Sequence, residues 1–238
     1  MKKLTGISIV SGIAAGPVYP FAHAHKPPVG AAGDVRTEQL CLREAIDAAC
    51  GELELLEQKT TGEGRGIFAF QQCLLADDGL SADILARLEK GVSAAAAVYA
   101  VGQENAARLK SQKHNAYLCL RAADVLDACM RVVNILTGQP RNRALSGAPV
   151  ILAAQQMYPS DLVSVPQGSV CGYAAFGGSA DSHAAILAKS LGLPAVYAIS
   201  GSLPEAGTPA ILDGDEGVCI LAPDAAVRER YGALAAAR

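Results

Sequence analysis

The order of the secondary-structure patterns is the feature that most constrains the fold of this chain. From Arg36 to about Gly138 apolar residues recur at helical spacing, whereas the flanking segments carry short apolar runs separated by glycine and proline turns. Such short runs are typical of β-strands. Strands at both ends of a chain share one sheet only when the first strands return to pair with the last. The sequence therefore predicts an α/β (α+β) domain with an inserted all-α helical bundle subdomain.

The helical block divides into four segments. The first begins near Arg36, with Thr37 placed to cap it, and "GEGRG" is predicted to end it. The second is "IFAFQQCLLADDG", and the third, "SADILARLEKGVSAAAAVYAVGQENAARLKSQ", contains a break near Gly91. The last segment is "NAYLCLRAADVLDACMRVVNILTG". The apolar face predicted for the first segment consists of Leu40, Ala45, Ala49, Leu53 and Leu56.

The strand patterns occupy residues 1–21 and much of the chain after Ala148. In the second region "APVILAA", "GSVCGYAAF" and "PAVYAI" are predicted strands, and "TPAILDGDEGVCILAP" is predicted to hold two more around an Asp-Gly turn. The final "DAAVRERYGALAAAR" is predicted to be an amphipathic helix. The first 26 residues also resemble a secretory signal, but glycines, serines and prolines interrupt their apolar run, which favours strands.

Composition disfavours several classes of function. A net charge of −3 without a basic run, and 5% aromatic residues without tryptophan, argue against a nucleic-acid reader. No stretch approaches the roughly 20 apolar residues that a membrane span needs. The cysteine count is 7, an odd number without a C-x-x-C, which predicts reduced core thiols in a cytoplasmic protein and no zinc site. The "HAH" at 23–25 is interpreted as a solvated loop, with metal binding as the less favoured alternative.

His183 lies at a loop-to-helix junction, within "GGSADSHAAILAKSLGLPAV" (177–196). A predicted strand ends near Phe176, two glycines follow, and a helix begins near Asp181 or Ser182. The first N–H groups of a helix lack internal partners and the dipole is positive there, so the site suits a phosphoryl group. The same field disfavours a protonated imidazole, which keeps a histidine nucleophilic. The residues alone also fit a surface histidine beside a turn, and that alternative stays open.

The same stretch resembles the phosphohistidine signature of the phosphoenolpyruvate-utilising enzymes. In that family Gly-Gly-x-Thr-Ser-His precedes small residues, an aliphatic pair, Ala-Arg and then Leu-x-Leu-Pro-Ala-Val. The resemblance places His183 at the position of the phosphorylated histidine. The other matching residues are Gly178, Ser182, Ile186, Ala188, Leu193, Pro194, Ala195 and Val196.

Four further motifs resemble the N-terminal half of Enzyme I of the sugar phosphotransferase system. "GISIVSGIAAGPVY" is similar to that family's opening, and "RAADVLD" (121–127) is similar to a run of its helical subdomain. "YPSDL" resembles a Thr-Pro-Ser-Glu/Asp turn, and "ILDGDEGVCILAPD" resembles the final strands. The motifs occur in the family's order from residue 5 to about 225, which also favours strands over a signal peptide at the N-terminus.

The resemblance implies phosphoryl transfer through a tele-phosphohistidine at His183, from phosphoenolpyruvate to a histidine of the HPr phosphocarrier protein. It implies a discontinuous swivelling phosphohistidine subdomain at 1–22 and 144–222, a carrier-docking helical subdomain at 34–143, and the start of a linker helix at 223–238. The family's C-terminal domain, which binds phosphoenolpyruvate and Mg²⁺, is expected beyond this chain, so no metal or cofactor is expected within it. The expected partners are HPr and that domain, in the cytoplasm, with no nucleic acid or membrane.

The residues expected to support His183 are Gly177, Gly178, Asp181, Ser182 and Lys189. Two positions in the loop depart from the family pattern, because Ser179 replaces the second glycine and Asp181 replaces threonine. Lys189 replaces arginine, and Tyr158 precedes Pro-Ser where the family has threonine. A carboxylate two residues before a phosphohistidine repels the phosphate. The alternatives are that Asp181 caps the helix, or that an extra loop residue restores the two glycines as the turn.

Carrier docking is predicted on the helix "IFAFQQCLLADD". Its expected contacts are Phe68, Gln71, Leu74 and Leu75, with Asp77 and Asp78 meeting a basic carrier surface. The alternative for Phe68 and Leu74 is the bundle core, and the exposed face of the helix decides between the two.

Two other functions stay open. One is the phosphohistidine domain of a multiphosphoryl carrier or of a pyruvate-phosphate dikinase, although the helical insertion with "RAADVLD" argues against a dikinase. The other is a non-enzymatic regulatory binding module, in which the altered loop no longer accepts phosphate.

Overall fold

A computed structural model describes the chain as two compact units, one formed by 1–22 with 143–238 and the other by 23–142. The residues that it describes are 1–21, 27, 33–60, 63–112, 114–139, 147–166 and 168–237. The "HAH" interpreted as a loop lies outside them. The predicted fold class is confirmed, because strands of both chain ends form one unit and helices between them form the other.

The elements follow one another in the order that the patterns predict. From the N-terminus they are β1 (Lys2–Thr5), β2 (Ile7–Val10), β3 (Ile13–Pro20), α1 (Val35–Lys59), α2 (Glu63–Leu75), α3 (Asp78–Leu88), α4 (Ala94–Ser111), α5 (Ala116–Leu136), β4 (Val150–Ala154), α6 (Pro159–Val163), β5 (Val170–Ala175), α7 (His183–Leu191), β6 (Ala195–Tyr197), β7 (Pro209–Asp213), β8 (Val218–Leu221) and α8 (Ala225–Ala236).

The described strands form one mixed sheet in the order β1-β8-β7-β3-β4-β5-β6-β2. Strands β3, β4, β5 and β6 run parallel to one another, whereas β1, β2, β7 and β8 pair antiparallel with their neighbours. The first strands do return to the later ones, since β1 pairs with β8 and β2 pairs with β6. The prediction of N-terminal strands is therefore confirmed.

Gly6 is the single residue between β1 and β2, which lie at opposite ends of the strand order. Its N–H donates to the carbonyl of Gly217 at 2.8 Å. A Cβ at this position would lie 2.6 Å from the carbonyl oxygen of Tyr197, so a larger residue would force the backbone apart. The chain therefore uses a glycine to join the two edges of the sheet.

In its described part the helical unit contains five helices, one more than the four predicted segments. The third predicted segment is split into α3 and α4 around Gly91, as expected, and α2 begins inside "GEGRG". Asp34, not Thr37, caps α1, because its carboxylate accepts from the N–H of Thr37 at 3.3 Å. Leu40 is 62% exposed, so its predicted core position is wrong. The residues that α1 does bury are Leu42, Ala45, Ala49, Leu53 and Leu56.

The predicted amphipathic character of α8 is weak. Tyr231 is the buried residue of this helix and Val227 is half-buried against the sheet. Tyr231 is also hydrogen-bonded to Asp213 of β7, and burial together with that carboxylate raises the pKa of the phenol. The helix is thus held to the sheet mainly through Tyr231 and Val227, and not along a continuous apolar face.

The cysteines are only partly core thiols. Cys129 and Cys219 are buried, and burial raises their pKa values to about 12 and about 11. Cys41 and Cys73 are exposed. The prediction of core thiols therefore holds for Cys129 and Cys219 but is wrong for the two exposed residues.

Gly102 marks the closest approach of α4 to α5. A Cβ on Gly102 would lie 2.7 Å from the Cβ of Cys129 and 3.0 Å from its Sγ. Gly102→Ala is expected to lower the free energy of unfolding by about 1–3 kcal/mol, because overpacking outweighs the gain in helix propensity. Denaturant titration followed by circular dichroism measures this change.

Gly51 supplies the matched control for that substitution. It lies within α1, it is exposed, and a Cβ there would have no atom within 4 Å. Gly51→Ala is expected to raise the free energy of unfolding by up to about 1 kcal/mol. Equal effects of the two substitutions would contradict the close helix crossing at Gly102.

Candidate active site

The loop before α7 is built on a pair of glycines. A Cβ on Gly177 would lie 2.7 Å from the carbonyl oxygen of Gln155, and Gly178 has a φ of +84°. The carbonyl of Gly177 also accepts from the N–H of Ala198 at 3.4 Å. Both positions therefore require glycine, one for space and one for conformation. The two glycines form the turn that was one of the alternatives left by the sequence.

The four residues from Ser179 to Ser182 complete the loop. The N–H of Ser182 donates to the carbonyl of Ser179 at 3.2 Å, which closes a turn. Ser182 then caps α7, since its hydroxyl oxygen accepts from the N–H of Ala185 at 3.2 Å. The cap fixes where the helix begins, and His183 becomes its first residue.

His183 is half-buried at the N-terminus of α7, as the pattern predicts. The helix beneath it is anchored by an apolar face of small residues and one leucine: Ala184, Ala185, Leu187 and Ala188. Gly192 ends the helix in the left-handed conformation, with its N–H donating to the carbonyl of Ala188. The imidazole is thus attached to a packed helix at the end where backbone N–H groups and the positive dipole favour an anion.

Asp181 and Lys189 do not have the supporting roles at His183 that the sequence predicts. Asp181 is exposed and precedes the cap, so the alternative in which its carboxylate caps α7 is wrong. Lys189 is exposed in the last turn of α7, six residues after His183. At 1.5 Å per residue that is about 9 Å along the axis, at the end whose dipole favours a cation. The charge of Lys189 is therefore explained by the helix C-terminus.

A second, short helix packs against α7 and carries Tyr158. Tyr158 is the N-cap of α6 and is buried, and its N–H donates to the carboxylate of Asp161 at 2.8 Å. The hydroxyl of Tyr173 donates to the carbonyl of Leu162 at 3.3 Å. These bonds fix α6 beneath α7. The Tyr-Pro-Ser-Asp turn, singled out in the sequence, therefore belongs to the packing next to the site.

The phenols in this region are strongly desolvated. Burial raises the pKa of Tyr173 to about 12. Burial, followed by the nearby carboxylate of Asp161, raises the pKa of Tyr197. The hydroxyl of Tyr197 is buried and has no hydrogen-bond partner among the described residues. Both phenols stay protonated at neutral pH, so they contribute packing and not charge.

In the helical unit, three of the predicted docking residues are core residues. Phe68 and Gln71 are 0% exposed and Leu75 is 3% exposed. Phe68 and Leu75 pack into the bundle, and the amide of Gln71 donates to the buried carboxylate of Asp127 at 3.0 Å. None of these side chains can contact a partner without unfolding the bundle, so their assignment to docking is wrong.

The other three docking residues remain accessible to different degrees. Leu74 is half-buried, and Asp77 and Asp78 are exposed between α2 and α3. Asp77 also caps α3, since its carboxylate accepts from the N–H of Leu80 at 2.8 Å. The carboxylate of Asp77 therefore faces the N-terminus of α3. Asp78 is the next residue and lies in the first turn of the same helix.

A partly exposed cluster of aromatic rings around an arginine was not predicted from the sequence. The guanidinium carbon of Arg121 lies 4.4 Å from the centre of the Phe70 ring and 4.9 Å from that of Tyr117. Arg121 donates to the Tyr117 hydroxyl at 2.7 and 3.0 Å and pairs with the buried Asp124 at 3.1 Å. We call Phe70, Tyr117 and Arg121 the arginine cluster. The spacing of four residues between Tyr117 and Arg121 was the available signal.

Two family models match the chain. Residues 5–121 match the family model of the PEP-utilising enzyme, N-terminal, where PEP is phosphoenolpyruvate. Residues 147–217, which include His183, match the family model of the PEP-utilising enzyme, mobile domain.

The chain belongs to the PEP-utilising enzymes.

Its curated relatives among the PEP-utilising enzymes include two kinds of phosphotransfer protein. It is 35% identical over 239 residues to a multiphosphoryl transfer protein of Rhodobacter capsulatus, covering 96% of this chain and 28% of the relative. It is 32% identical over 241 residues to the phosphoenolpyruvate-protein phosphotransferase of Streptomyces coelicolor, covering 99% of this chain and 43% of the relative. The chain thus spans less than half the length of either relative.

Solved structures of PEP-utilising enzymes share this fold. A solution NMR structure of Enzyme I matches with a TM-score of 0.73 and 28% identity, covering 98% of both chains. The N-terminal domain of Enzyme 1 – Nitrogen matches with a TM-score of 0.66 and 23% identity, covering 97% of this chain and 98% of that one, which shows a common fold. The resemblance to the N-terminal part of Enzyme I, stated from the motifs, is confirmed.

Two features are absent from the described part of the chain. No group of three or more His, Cys, Asp or Glu side chains in that part of the chain lies close enough to hold a metal ion. No helix within the same residues has the length and apolar character needed to cross a membrane.

Proposed function

We propose that this chain carries a phosphoryl group on His183, received from phosphoenolpyruvate and passed to a histidine of the HPr phosphocarrier protein. The observation that supports this most is the position of His183 as first residue of α7, half-buried, behind a glycine turn and a serine cap. The family supplies the chemistry, since the relatives are phosphotransfer proteins. The discontinuous unit is the phosphohistidine subdomain, and the helical unit is the carrier-docking subdomain.

The transfer to the carrier is an in-line displacement between two imidazoles. In the forward direction a carrier imidazole nitrogen attacks phosphorus as the bond between phosphorus and Nε2 of His183 breaks. The electron pair of the broken bond returns to Nε2 of His183, which takes up one proton, while the carrier imidazole gives up one proton, so that both rings remain neutral and no net proton is released. His183 is the nucleophile when the phosphoryl group arrives and the leaving group when it departs.

The loop and helix cap prepare the site for this charge. Ser182 satisfies the N–H of Ala185, while the N–H groups of the first turn have no carbonyl within the helix. These groups and the dipole favour the phosphoryl oxygens that lie beside Nε2. Gly177 and Gly178 add no side chain to the loop before the helix. The structure thus supports positioning and electrostatic stabilisation, the two contributions on which phosphoryl transfer depends.

HPr docking is proposed on the helical unit, with contacts that differ from those expected from the sequence. The arginine cluster is accessible, since Tyr117 is 57% exposed, and it combines aromatic area with a fixed cation, as binding hot spots do. Leu74 and Asp78 lie on or next to the same helix as Phe70 and complete the proposed surface. Asp77 contributes mainly as the cap of α3.

The step that uses phosphoenolpyruvate is assigned to a part of the relatives that this chain does not match. We propose the unmatched part as the phosphoryl donor to His183 and as the site of the Mg²⁺ requirement. The cytoplasmic location expected from the sequence stays a prediction.

A multiphosphoryl carrier is the second candidate, favoured by the 35% identity to the Rhodobacter capsulatus protein. The chemistry at His183 is the same in both candidates. They differ in which domains are joined to this chain.

The proposed function is tested by phosphoryl exchange between this chain and separately phosphorylated HPr. The wild-type chain is expected to acquire phosphate that is stable in base and lost in acid, as a phosphohistidine is. Unlabelled HPr added afterwards should recover the phosphate. A wild-type chain that stays unlabelled with a fully phosphorylated carrier would contradict the proposal and favour the regulatory binding module.

A further inference from the structure

We infer that Asp181 weakens the hold of His183 on its phosphoryl group and so shifts the transfer equilibrium towards the carrier. This inference rests on the proposed function. The carboxylate of Asp181 would then set how readily the phosphoryl group leaves His183.

The position of Asp181 in the loop places it close to the imidazole. The turn from Ser179 to Ser182 is closed by a hydrogen bond of 3.2 Å, and Asp181 is its third residue. Because consecutive Cα atoms are about 3.8 Å apart, the Cα atoms of Asp181 and His183 lie within about 7 Å of each other. The carboxylate of Asp181 is thus attached two residues before the imidazole, within the range over which charges interact at low salt.

No hydrogen bond or ion pair within the described residues compensates the charge of Asp181. Ser182, not Asp181, accepts the hydrogen bond from the end of α7, so the carboxylate is not engaged by the helix N–H groups. The side chain is exposed, and within the described residues it has no hydrogen-bond or ion-pair partner. Lys189, the cation on the same helix, stands about 9 Å further along the axis. Among the described residues, Asp181 therefore adds a carboxylate to the loop without a paired cation.

The sign of the interaction with the phosphoryl group follows from this charge. A phosphohistidine carries close to two negative charges at neutral pH, and like charges repel, whereas the unphosphorylated imidazole has no such repulsion with Asp181. The carboxylate thus raises the free energy of the phosphorylated state and leaves that of the free state nearly unchanged. Because the carboxylate is exposed, water and salt screen the effect, which limits it to a modest factor.

Asp181→Asn tests the inference through the equilibrium constant for transfer from phosphorylated HPr to this chain. Phosphate on both proteins is measured after equilibration, at about 20 mM and about 500 mM monovalent salt. Asp181→Asn is expected to raise the constant about fivefold at low salt, and high salt should reduce that increase to about twofold or less.

Two variants serve as controls. Asp181→Glu keeps the charge and should leave the constant within twofold of wild type. Glu229→Gln removes an exposed carboxylate from α8, which packs against β3 in the same unit, and should also leave the constant within twofold. Circular dichroism before and after equilibration checks that each variant is folded.

Three outcomes would overturn the inference. A constant for Asp181→Asn within twofold of wild type at low salt would show that the carboxylate does not act on the phosphoryl group. Forward and reverse rates that change by the same factor would assign Asp181 to the encounter with the carrier. A change that salt does not reduce would show that the effect is not one of charge. A wild-type chain that takes up no phosphate is a different result, and it would contradict the proposed function itself.

Discussion

His183→Ala is expected to abolish the uptake of phosphate from phosphorylated HPr while leaving the fold intact. At position 183 only the imidazole can form the bond to phosphorus, so the alanine variant should take up no phosphate. Alanine is accepted at the first position of α7, whose stability depends on the Ser182 cap and the buried face beneath it. The measurement is acid-labile phosphate per chain, with the free energy of unfolding determined in parallel. That free energy should change by less than about 1 kcal/mol.

His114→Ala is the matched control for this result. His114 is exposed in the helical unit, between α4 and α5, and has no role in the proposed transfer. The His114→Ala variant should take up phosphate to the wild-type level. Label that persists in His183→Ala would refute the assignment of the phosphorylated residue, whatever the behaviour of the control.

Tyr117→Ala is expected to raise the KM for HPr about tenfold, with kcat and stability close to wild type. The ring is largely exposed, and its hydroxyl and face hold the guanidinium of Arg121 in place. Losing this support disorders the arginine cluster, and tenfold corresponds to about 1.4 kcal/mol of binding free energy. The KM is measured with phosphorylated HPr as the varied substrate.

Phe68→Ala separates docking from stability in the same unit. Phe68 lies in the bundle core, where removing a buried aromatic ring costs about 3–5 kcal/mol. This variant should unfold at a lower denaturant concentration, but under conditions where it is folded its KM for HPr should stay near wild type. A reversed outcome, with Phe68 controlling KM and Tyr117 controlling stability, would restore the surface expected from the sequence and contradict the structure.

The docking face could not be read from the sequence because α2 is apolar on more than one side. Phe68 and Phe70 are two residues apart, so on a helix they point in nearly opposite directions. Periodicity identifies two faces, but the contacts with α1 and α5 decide which one is buried. Gln71 was misassigned for a similar reason, because its partner, Asp127, lies 56 residues further along the chain. A pairing between residues so far apart in the chain leaves no signal in the local hydrophobic pattern.

The candidate site was largely predictable, because its features are local. The strand that ends before Phe176, the glycine turn and the helix beginning at His183 all follow from neighbouring residues. The choice between Asp181 and Ser182 as the cap was not predictable, since both residue types cap helices well. In the structure Ser182 is the cap, and the residues buried by α7 are Ala184, Ala185, Leu187 and Ala188.

Locating the phosphate on the wild-type chain tests the central claim most directly. After exchange with phosphorylated HPr, the chain is digested at alkaline pH and the phosphorylated peptide is sequenced by mass spectrometry, with ³¹P NMR to identify the nitrogen. The account requires one phosphate, on Nε2 of His183. A phosphate on any other residue, or on none, would contradict it.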